Sequence, residues 1–393
     1  MNVLFITPGY PSKSNTVPGI FIKNIAESLK TLGVTVTVIQ PVPMIPLPKS
    51  FLPEYWKIYK DLPHFERSKT GICIYRPRYF SYPKSTIWGI AHLFIYFSIR
   101  NLLKKYKLQP QIVHAHFAYP MGYVAKMLKF SLNIPYVCTI RGDDINVLPL
   151  ISPFQRTRVM KALCAADQVT SVSKTLAEKA FKLTGIYSRV IYNGVELNEY
   201  KDRISKCEAR YRNNLDKNRF YVLYVGAITR TKGVCELIEV IKANKEKNVQ
   251  FIVIGDEINS QENITIPSCC LHLGRQPQKI VFEYMIAADV LVLPSYGEGM
   301  PNVVVEAASF GLPIIATSVG GIPEIIGAET GMLIEPRSSD AITNSIAKVR
   351  EDYPDALRKA ERLKDKIRSS YDLHKNSKIL KEIYENLLTA RSN

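Results

Sequence analysis

Two series of short apolar runs organise the chain, each run separated from the next by stretches whose hydrophobic positions recur every three or four residues. In the first series, VLFIT (3–7) leads through a Pro- and Gly-rich turn into FIKNIAESLKTLG (21–33), where Phe21, Ile22, Ile25, Leu29 and Leu32 fall at helical spacing. VTVTVIQ (34–40) reads as the next strand. Further β-prone runs follow at GICIYR (71–76), QIVHAH (111–116), IPYVCTI (134–140), DQVTSVS (167–173) and SRVIYN (188–193). Buried strands joined by helices make βαβ units and a parallel sheet.

A polar, charged stretch from Leu197 to Arg219 interrupts this pattern, and we read it as a domain boundary. The second series then runs through FYVLYVG (220–226), VQFIVIG (249–255), CLHLG (270–274), DVLVLPS (289–295), LPIIATS (312–318) and GMLIEP (331–336). The spacing predicts an α/β protein with two Rossmann-like, doubly wound sheets facing each other across a cleft. In such sheets ligands bind at the carboxyl ends of the strands, beside helix N-termini. The expected domains are 1–200 and 201–370. Residues 354–391 read as charged helix, with 371–393 packing back toward the first domain.

Two stretches of the first half break the rhythm. Residues 41–65 carry Pro41, Pro43, Pro46, Pro48, Pro53 and Pro63, too many prolines for a core helix or strand, and fit a surface loop. Residues 86–108 combine aromatic and aliphatic side chains with a basic end at Arg100, Lys104, Lys105 and Lys107. A core-facing helix with a basic solvent face is the favoured reading, and an interfacial membrane helix the alternative.

At 393 residues and 46% hydrophobic content, the chain has enough apolar side chain to bury two cores. The start, MNVLFITPGYP, has no basic segment ahead of an apolar one, so neither a secretory signal nor a spanning helix is expected, and the chain is placed in the cytosol. Seven cysteines form no CxxC pair and are expected to be reduced, with no zinc site. The net charge of +17 is lopsided: residues 1–200 hold 25 Lys and Arg against 10 Asp and Glu, and the remainder 27 against 25. That asymmetry points to an anionic partner for the first half, such as a membrane leaflet or a phosphorylated substrate, with plain solubility as the bland alternative. No motif specifies nucleic acid.

The chemistry concentrates at strand ends. In EGMPNVVVE (298–306) a strand ending at Ser295 turns at Gly297 and Gly299 and starts a helix near Pro301 or Asn302. Glu298 then lies on the loop and Glu306 inside the helix, with the N–H groups around Met300 to Val303 forming an anion site between them. A nucleotide sugar satisfies all three features: one carboxylate for a ribose diol, amides for phosphate, and another carboxylate for sugar hydroxyls. Taken alone, two acidic residues eight apart also fit a loop charge and a solvated helix face.

The run ADVLVLPSYGEGMPNVVVEAASFGLPIIATSVGGIPEII resembles the signature of family 4 glycosyltransferases, retaining enzymes of the GT-B fold. VIYNGVELNEY (190–200), VGAITRTKGV (225–234) and VHAHFAYPMG (113–122) resemble further segments of that family, with some similarity to members that build cell-surface polysaccharides, including teichuronic-acid-type enzymes. The resemblance implies that Glu306 binds the ribose and Glu298 the donor sugar, with Gly299, Met300, Pro301, Asn302 and Val303 lining the sugar and phosphates. It implies that Lys232 neutralises the diphosphate leaving group, as a preorganised cation there lowers the barrier to breaking the glycosidic bond. Ala227 stands where many members have an arginine, and Arg230 is a candidate replacement.

In the first domain, His116 corresponds to a family histidine that hydrogen-bonds a sugar hydroxyl or developing charge. Gly19 offers backbone room for phosphate or acceptor, and Asp144 of RGDD (141–144) positions substrate or serves as a satisfied loop carboxylate. The adjacent aspartates of RGDD do not form a D-x-D metal motif, and no essential metal is expected. The resemblance thus implies a retaining transferase moving a sugar from a nucleoside diphosphate sugar, UDP-linked, to a cell-envelope glycan or its polyprenyl carrier, with the inner face of the plasma membrane as an alternative location to the free cytosol. A nucleotide-sugar 2-epimerase of similar fold and a non-catalytic glycan-assembly subunit are the alternatives.

Overall fold

The computed structural model describes residues 1–12, 18–44, 48, 50, 52, 54–80, 90–196, 204–256 and 262–392. The chain divides into two compact units. One comprises Met1–Asn193 with Leu373–Asn393, the other Gly194–Asp372.

The first unit is built on the strands β1 (Asn2–Ile6), β2 (Thr35–Ile39), β3 (Val42–Met44), β4 (Phe65–Arg67), β5 (Cys73–Tyr75), β6 (Arg78–Phe80), β7 (Ile112–His116), β8 (Tyr136–Ile140), β9 (Gln168–Ser171) and β10 (Arg189–Val190). Eight of them form one sheet in the order β10-β9-β8-β7-β1-β2-β5-β4, parallel except where β4 runs against β5. Every residue of β7 and β8 is buried, as expected of strands covered by helices on both faces. The strand order reverses between β1 and β7, so that their carboxyl ends flank a switch point.

The second unit contains β11 (Phe220–Val225), β12 (Val249–Ile254), β13 (Leu271–His272), β14 (Val290–Leu293), β15 (Ile314–Thr317) and β16 (Met332–Ile334). They form a wholly parallel sheet, β13-β12-β11-β14-β15-β16, with β11 and β14 paired through Val222–Val290 and Leu223–Leu291. Its switch point lies between β11 and β14. Both units are therefore doubly wound, which is the pair of Rossmann-like domains of the GT-B fold.

Two expectations are corrected. Within residues 41–65, Val42–Met44 pairs in parallel with Arg78–Phe80 to make a separate two-stranded ribbon, and Glu54–Asp61 is helical. Val42 is wholly buried, and Leu52 and Trp56 form a small cluster with Tyr59 packed on it. Proline is tolerated because a strand paired on one side only has no second ladder for its missing N–H to break. Pro46 and Pro53 lie outside the described residues.

The stretch read as an interruption, 197–219, also holds a helix, Lys206–Arg212. Charge rather than an apolar stripe ties it down: Arg210 Nη2 lies 2.7 Å from Asp289 Oδ2, and Lys206 Nζ 2.6 Å from Asp289 Oδ1. Residues 197–203 lie outside the described residues. The C-terminal segment forms two helices, Tyr353–Ser370 in the second unit and Leu373–Ser392 in the first. Leu373, Leu380, Ile383 and Tyr384 of the latter enter one core with Phe5, Ile22, Ile25 and Leu29.

Of 86–108, residues 90–108 are described, and Ala91–Lys105 is a helix that buries His92, Ile95, Ile99, Leu102 and Leu103. One face of this helix is thus core-facing. Its outer face still exposes Leu93 and Phe97.

Candidate active site

In the second unit, the loops after β11 and β14 meet at the switch point. The chain leaves β11 at Val225, turns through a short 3-10 segment Arg230–Lys232 and starts the helix Val234–Ala243. Tyr296 N donates to Thr231 O at 2.9 Å and so pins the second loop to the first. Lys232 Nζ then reaches Glu298 Oε1 at 2.7 Å, and Ser295 Oγ donates to the same oxygen at 2.6 Å. Ser295 is itself oriented from below, its carbonyl accepting from Thr317 Oγ1 at 2.6 Å. Glu298 is largely buried, whereas Lys232 keeps about a third of its side chain exposed, at 32%.

The backbone of Glu298 is held by a further close approach. A Cβ on Gly320 would stand 1.8 Å from Glu298 O, and Gly320 has φ +55°, so only glycine lets the loop after β15 lie against it. The pair Gly320–Gly321 then opens the short helix Ile322–Ile325.

The helix Asn302–Ser309 begins where its sequence places it, with Pro301 as N-cap in extended conformation. Its first internal bonds run from Val304 N and Val305 N to Pro301 O, which turns the positive end of the helix dipole toward the Glu298 loop. Met300 and Pro301 are buried beneath that end, with Gly299, Asn302 and Val303 partly exposed. Glu306, on the second turn, accepts from Gln278 Nε2 at 2.9 Å. Burial pushes its carboxyl up to about 7, against a smaller opposing effect of the Gln278 bond. Part of the Glu306 side chain is still open to solvent.

Arg230 is exposed, and its backbone N donates to Glu262 Oε2 at 2.7 Å. Ala227 is fixed through its carbonyl, which accepts from the buried Tyr224 hydroxyl at 2.7 Å. A further cation lies beside this loop: Arg337 stacks 4.8 Å from the centre of the Tyr296 ring.

In the first unit, His116 ends β7 and is fully buried. Its Nδ1 faces Arg141 Nη2 at 3.0 Å. Phe117, directly after it, has φ +75°, an uncommon conformation for a bulky residue and one that bends the chain out of the strand. Burial, then His114 and Arg141, hold the His116 imidazole well below its usual pKa.

Two of the expected residues are shaped by contacts within the chain. Asp144 is buried and accepts from Ala118 N at 2.9 Å, Gly142 N at 2.8 Å and Arg141 N at 3.1 Å. With its oxygens taken up by backbone donors, it shapes the loop instead of reaching a substrate. Gly19 is the N-cap of the helix Ile20–Thr31, but a Cβ there would stand 2.2 Å from Gly9 O. Only glycine permits so close an approach to the backbone of Gly9.

Sequence reasoning missed Ser295, Gln278 and Arg141. Ser295 carries a signal, as a serine closing an apolar strand at a switch point. Arg141 has one in RGDD, where attention falls on the aspartates. Gln278 has none, because it is brought to Glu306 from a different helix, Gln278–Ala287.

Residues 19–199 match the family described as Glycosyltransferase Family 4, and residues 205–370 that described as Glycosyl transferases group 1. The chain is 33% identical over 386 residues to TuaC of Bacillus subtilis, a glycosyltransferase assigned to teichuronic acid biosynthesis, covering 98% of both chains. It is 26% identical over 306 residues to the Escherichia coli UDP-Gal:alpha-D-GlcNAc-diphosphoundecaprenol alpha-1,3-galactosyltransferase, covering 73% of this chain and 78% of that one. Among solved structures, Anabaena HepE in complex with UDP superposes with a TM-score of 0.75 at 18% identity, covering 98% of this chain and 100% of that one. The chain therefore belongs to glycosyltransferase family 4 and is a transferase built on the GT-B fold.

Proposed function

We propose that this enzyme moves a sugar, with retention of anomeric configuration, from a UDP-sugar to a cell-envelope glycan or its polyprenyl-diphosphate carrier. The observation that carries the reading is the Lys232–Glu298 pair, locked by Ser295 beside the N-terminus of Asn302–Ser309. A cation and a helix dipole converge where a diphosphate would depart, and two carboxylates flank them for hydroxyl recognition.

In the reaction, the bond from the anomeric carbon to the diphosphate oxygen breaks as the bond to the acceptor oxygen forms on the same face. The acceptor proton passes to the departing phosphate, and Lys232 with the helix amides stabilises the charge left there. Glu306 accepts from the ribose diol, Glu298 from the sugar hydroxyls, and His116 donates to a substrate oxygen. Arg230 is read as a further phosphate contact, and Gly299 to Val303 as the wall of the donor pocket. Because protein groups supply the charge stabilisation, no metal is invoked. The names of the Bacillus subtilis and Escherichia coli relatives support an envelope glycan and a lipid-linked acceptor, and the UDP bound by HepE supports the nucleotide.

An anionic membrane surface is the partner proposed for the first unit. Leu150 is 82% exposed, Ile151 59% and Phe97 59%, with Phe130 and Phe154 also turned outward. They sit on or beside helices packed one against the next, close in sequence to Arg100, Lys104, Arg156 and Lys161. Apolar side chains beside cations are what an anionic interface binds. Among the described residues no helix is long and apolar enough to cross a membrane.

The test is turnover of a panel of nucleoside diphosphate sugars with membrane lipid acceptors, in EDTA, with product anomers read by NMR. Transfer with retention is expected. Dependence on Mn²⁺ or Mg²⁺, an inverted product, conversion of the donor without acceptor, or full activity in Glu306→Ala and Lys232→Ala would overturn it.

A further inference from the structure

His116 lies in a cage of polar side chains, and its two ring nitrogens meet opposite fates. Nδ1 faces Arg141, with Nε at 3.3 Å and Nη2 at 3.0 Å. Nε2 is buried with no hydrogen-bond partner among the described residues. A guanidinium has five donors and no acceptor, so both Arg141 contacts require a lone pair on Nδ1. A neutral imidazole carries one proton, which must then sit on Nε2.

The cage lets Arg141 impose this choice. Its Nη1 donates to Asn193 Oδ1 at 2.9 Å, its guanidinium carbon sits 4.5 Å from the centre of the Phe21 ring, and its backbone N is held by Asp144. His114, whose ring centre is 4.4 Å from that of His116, does not compete. Its Nδ1 is taken by Tyr384 Oη at 2.5 Å and its Nε2 by Thr139 Oγ1 at 2.6 Å, which in turn meets Thr170 Oγ1. Phe5 packs edge-on to both imidazoles.

We infer that Arg141 is a positioning residue that fixes His116 as its Nε2–H tautomer, so that this nitrogen can only donate a hydrogen bond to a substrate oxygen and cannot act as a base. The part of the inference concerning substrate rests on the transferase reading given above. The tautomer itself does not. Burial and the adjacent cation keep the ring neutral, which prevents both nitrogens from becoming donors.

Long-range ¹H–¹⁵N correlation of the histidine rings in the full-length protein tests the tautomer directly, with His116→Gln assigning the signals. Nε2 is expected protonated and Nδ1 unprotonated at neutral pH. The opposite pattern overturns the proposal without any variant. In Arg141→Met the two tautomers should mix, with kcat for transfer falling by at least about tenfold and donor KM staying within about twofold. Arg141→Lys, which keeps one cationic donor, should recover part of both readouts. Introduced into His116→Gln, Arg141→Met should add less than about twofold, since residues acting as one unit are not additive. Full additivity, or an unchanged ring spectrum in Arg141→Met, counts against it. If the transferase reading fails instead, no nucleotide sugar turns over and the ring spectrum still stands.

Discussion

Lys232 Nζ lies 2.7 Å from Glu298 Oε1, joining the loop after β11 to the loop after β14 where the strand order of the second sheet reverses. Lys232 was expected to neutralise the diphosphate and Glu298 to hold the donor sugar. The pairing shows that they are set by the same anchor, because Ser295 shares the carboxylate oxygen. A cation held this way is preorganised, and under the proposed reaction it would need little rearrangement to stabilise the leaving diphosphate.

Lys232→Met should lower kcat for transfer by roughly 10²–10³, the usual effect of removing one preorganised charge-stabilising group. Glu298→Gln, which retains an acceptor for Ser295 but not the charge that anchors Lys232, should lose less than Glu298→Ala. Steady-state kinetics alongside a thermal melt check this. Equal activity in all three variants would show that the pair has no part in the chemistry.

With Glu306 as the proposed ribose contact, donor binding should depend on pH. Its carboxyl is pushed up to about 7, and only the ionised form accepts from both hydroxyls of a diol. UDP should therefore bind about tenfold more tightly at pH 8 than at pH 6, and Glu306→Gln should flatten the profile. Calorimetric titration at the two pH values is the measurement.

The same group contributes to stability with the opposite slope. A carboxyl whose folded pKa of about 7 exceeds the ordinary 4.5 binds more protons when folded. Its contribution is complete below the ordinary value and is lost as pH rises through about 7. Glu306→Gln should accordingly flatten the difference in Tm between pH 4.5 and 7.5, against a wild type that loses stability from this group across that window.

Gly320→Ala should destabilise the second unit by at least about 2 kcal/mol, lowering Tm by roughly 4–8 °C, since it combines a left-handed backbone with a collision against backbone rather than a flexible side chain. The collision is with Glu298 O. Activity should fall further than stability explains, as Glu298 is displaced. A melt unchanged from wild type would mean that the loop relaxes freely.

Leu150→Glu with Ile151→Glu should weaken binding to phosphatidylglycerol vesicles by at least about 100-fold, given about 1.5–3 kcal/mol for burying each aliphatic side chain. Wild-type binding should also fall as salt rises, through screening of Arg and Lys. Vesicle co-sedimentation measures both. Retained binding by the double variant would exclude this surface.

The strands and their alternation with helices were legible because burial on both faces demands continuous apolar runs, as in DVLVLPS and LPIIATS, while a covering helix demands a stripe. The loop and helix of EGMPNVVVE were legible for a local reason too, since Pro301 and Asn302 suit a first turn. Lys206–Arg212 was not, because its anchor, Asp289, is about 80 residues away and ionic. The strand at Val42–Met44 was hidden by prolines that an edge position excuses.

The sequence by itself determined the periodicities, the switch-point loops and the residue types gathered at strand ends, all of which depend on neighbours within a few turns of chain. Tertiary structure decided which of them meet. Lys232 finds Glu298 across 66 residues, Arg141 finds His116 across 25, and Tyr384 finds His114 across 270. Hydrogen bonds and ion pairs act over a few ångströms of space, and only the strand order converts those separations in sequence into contact.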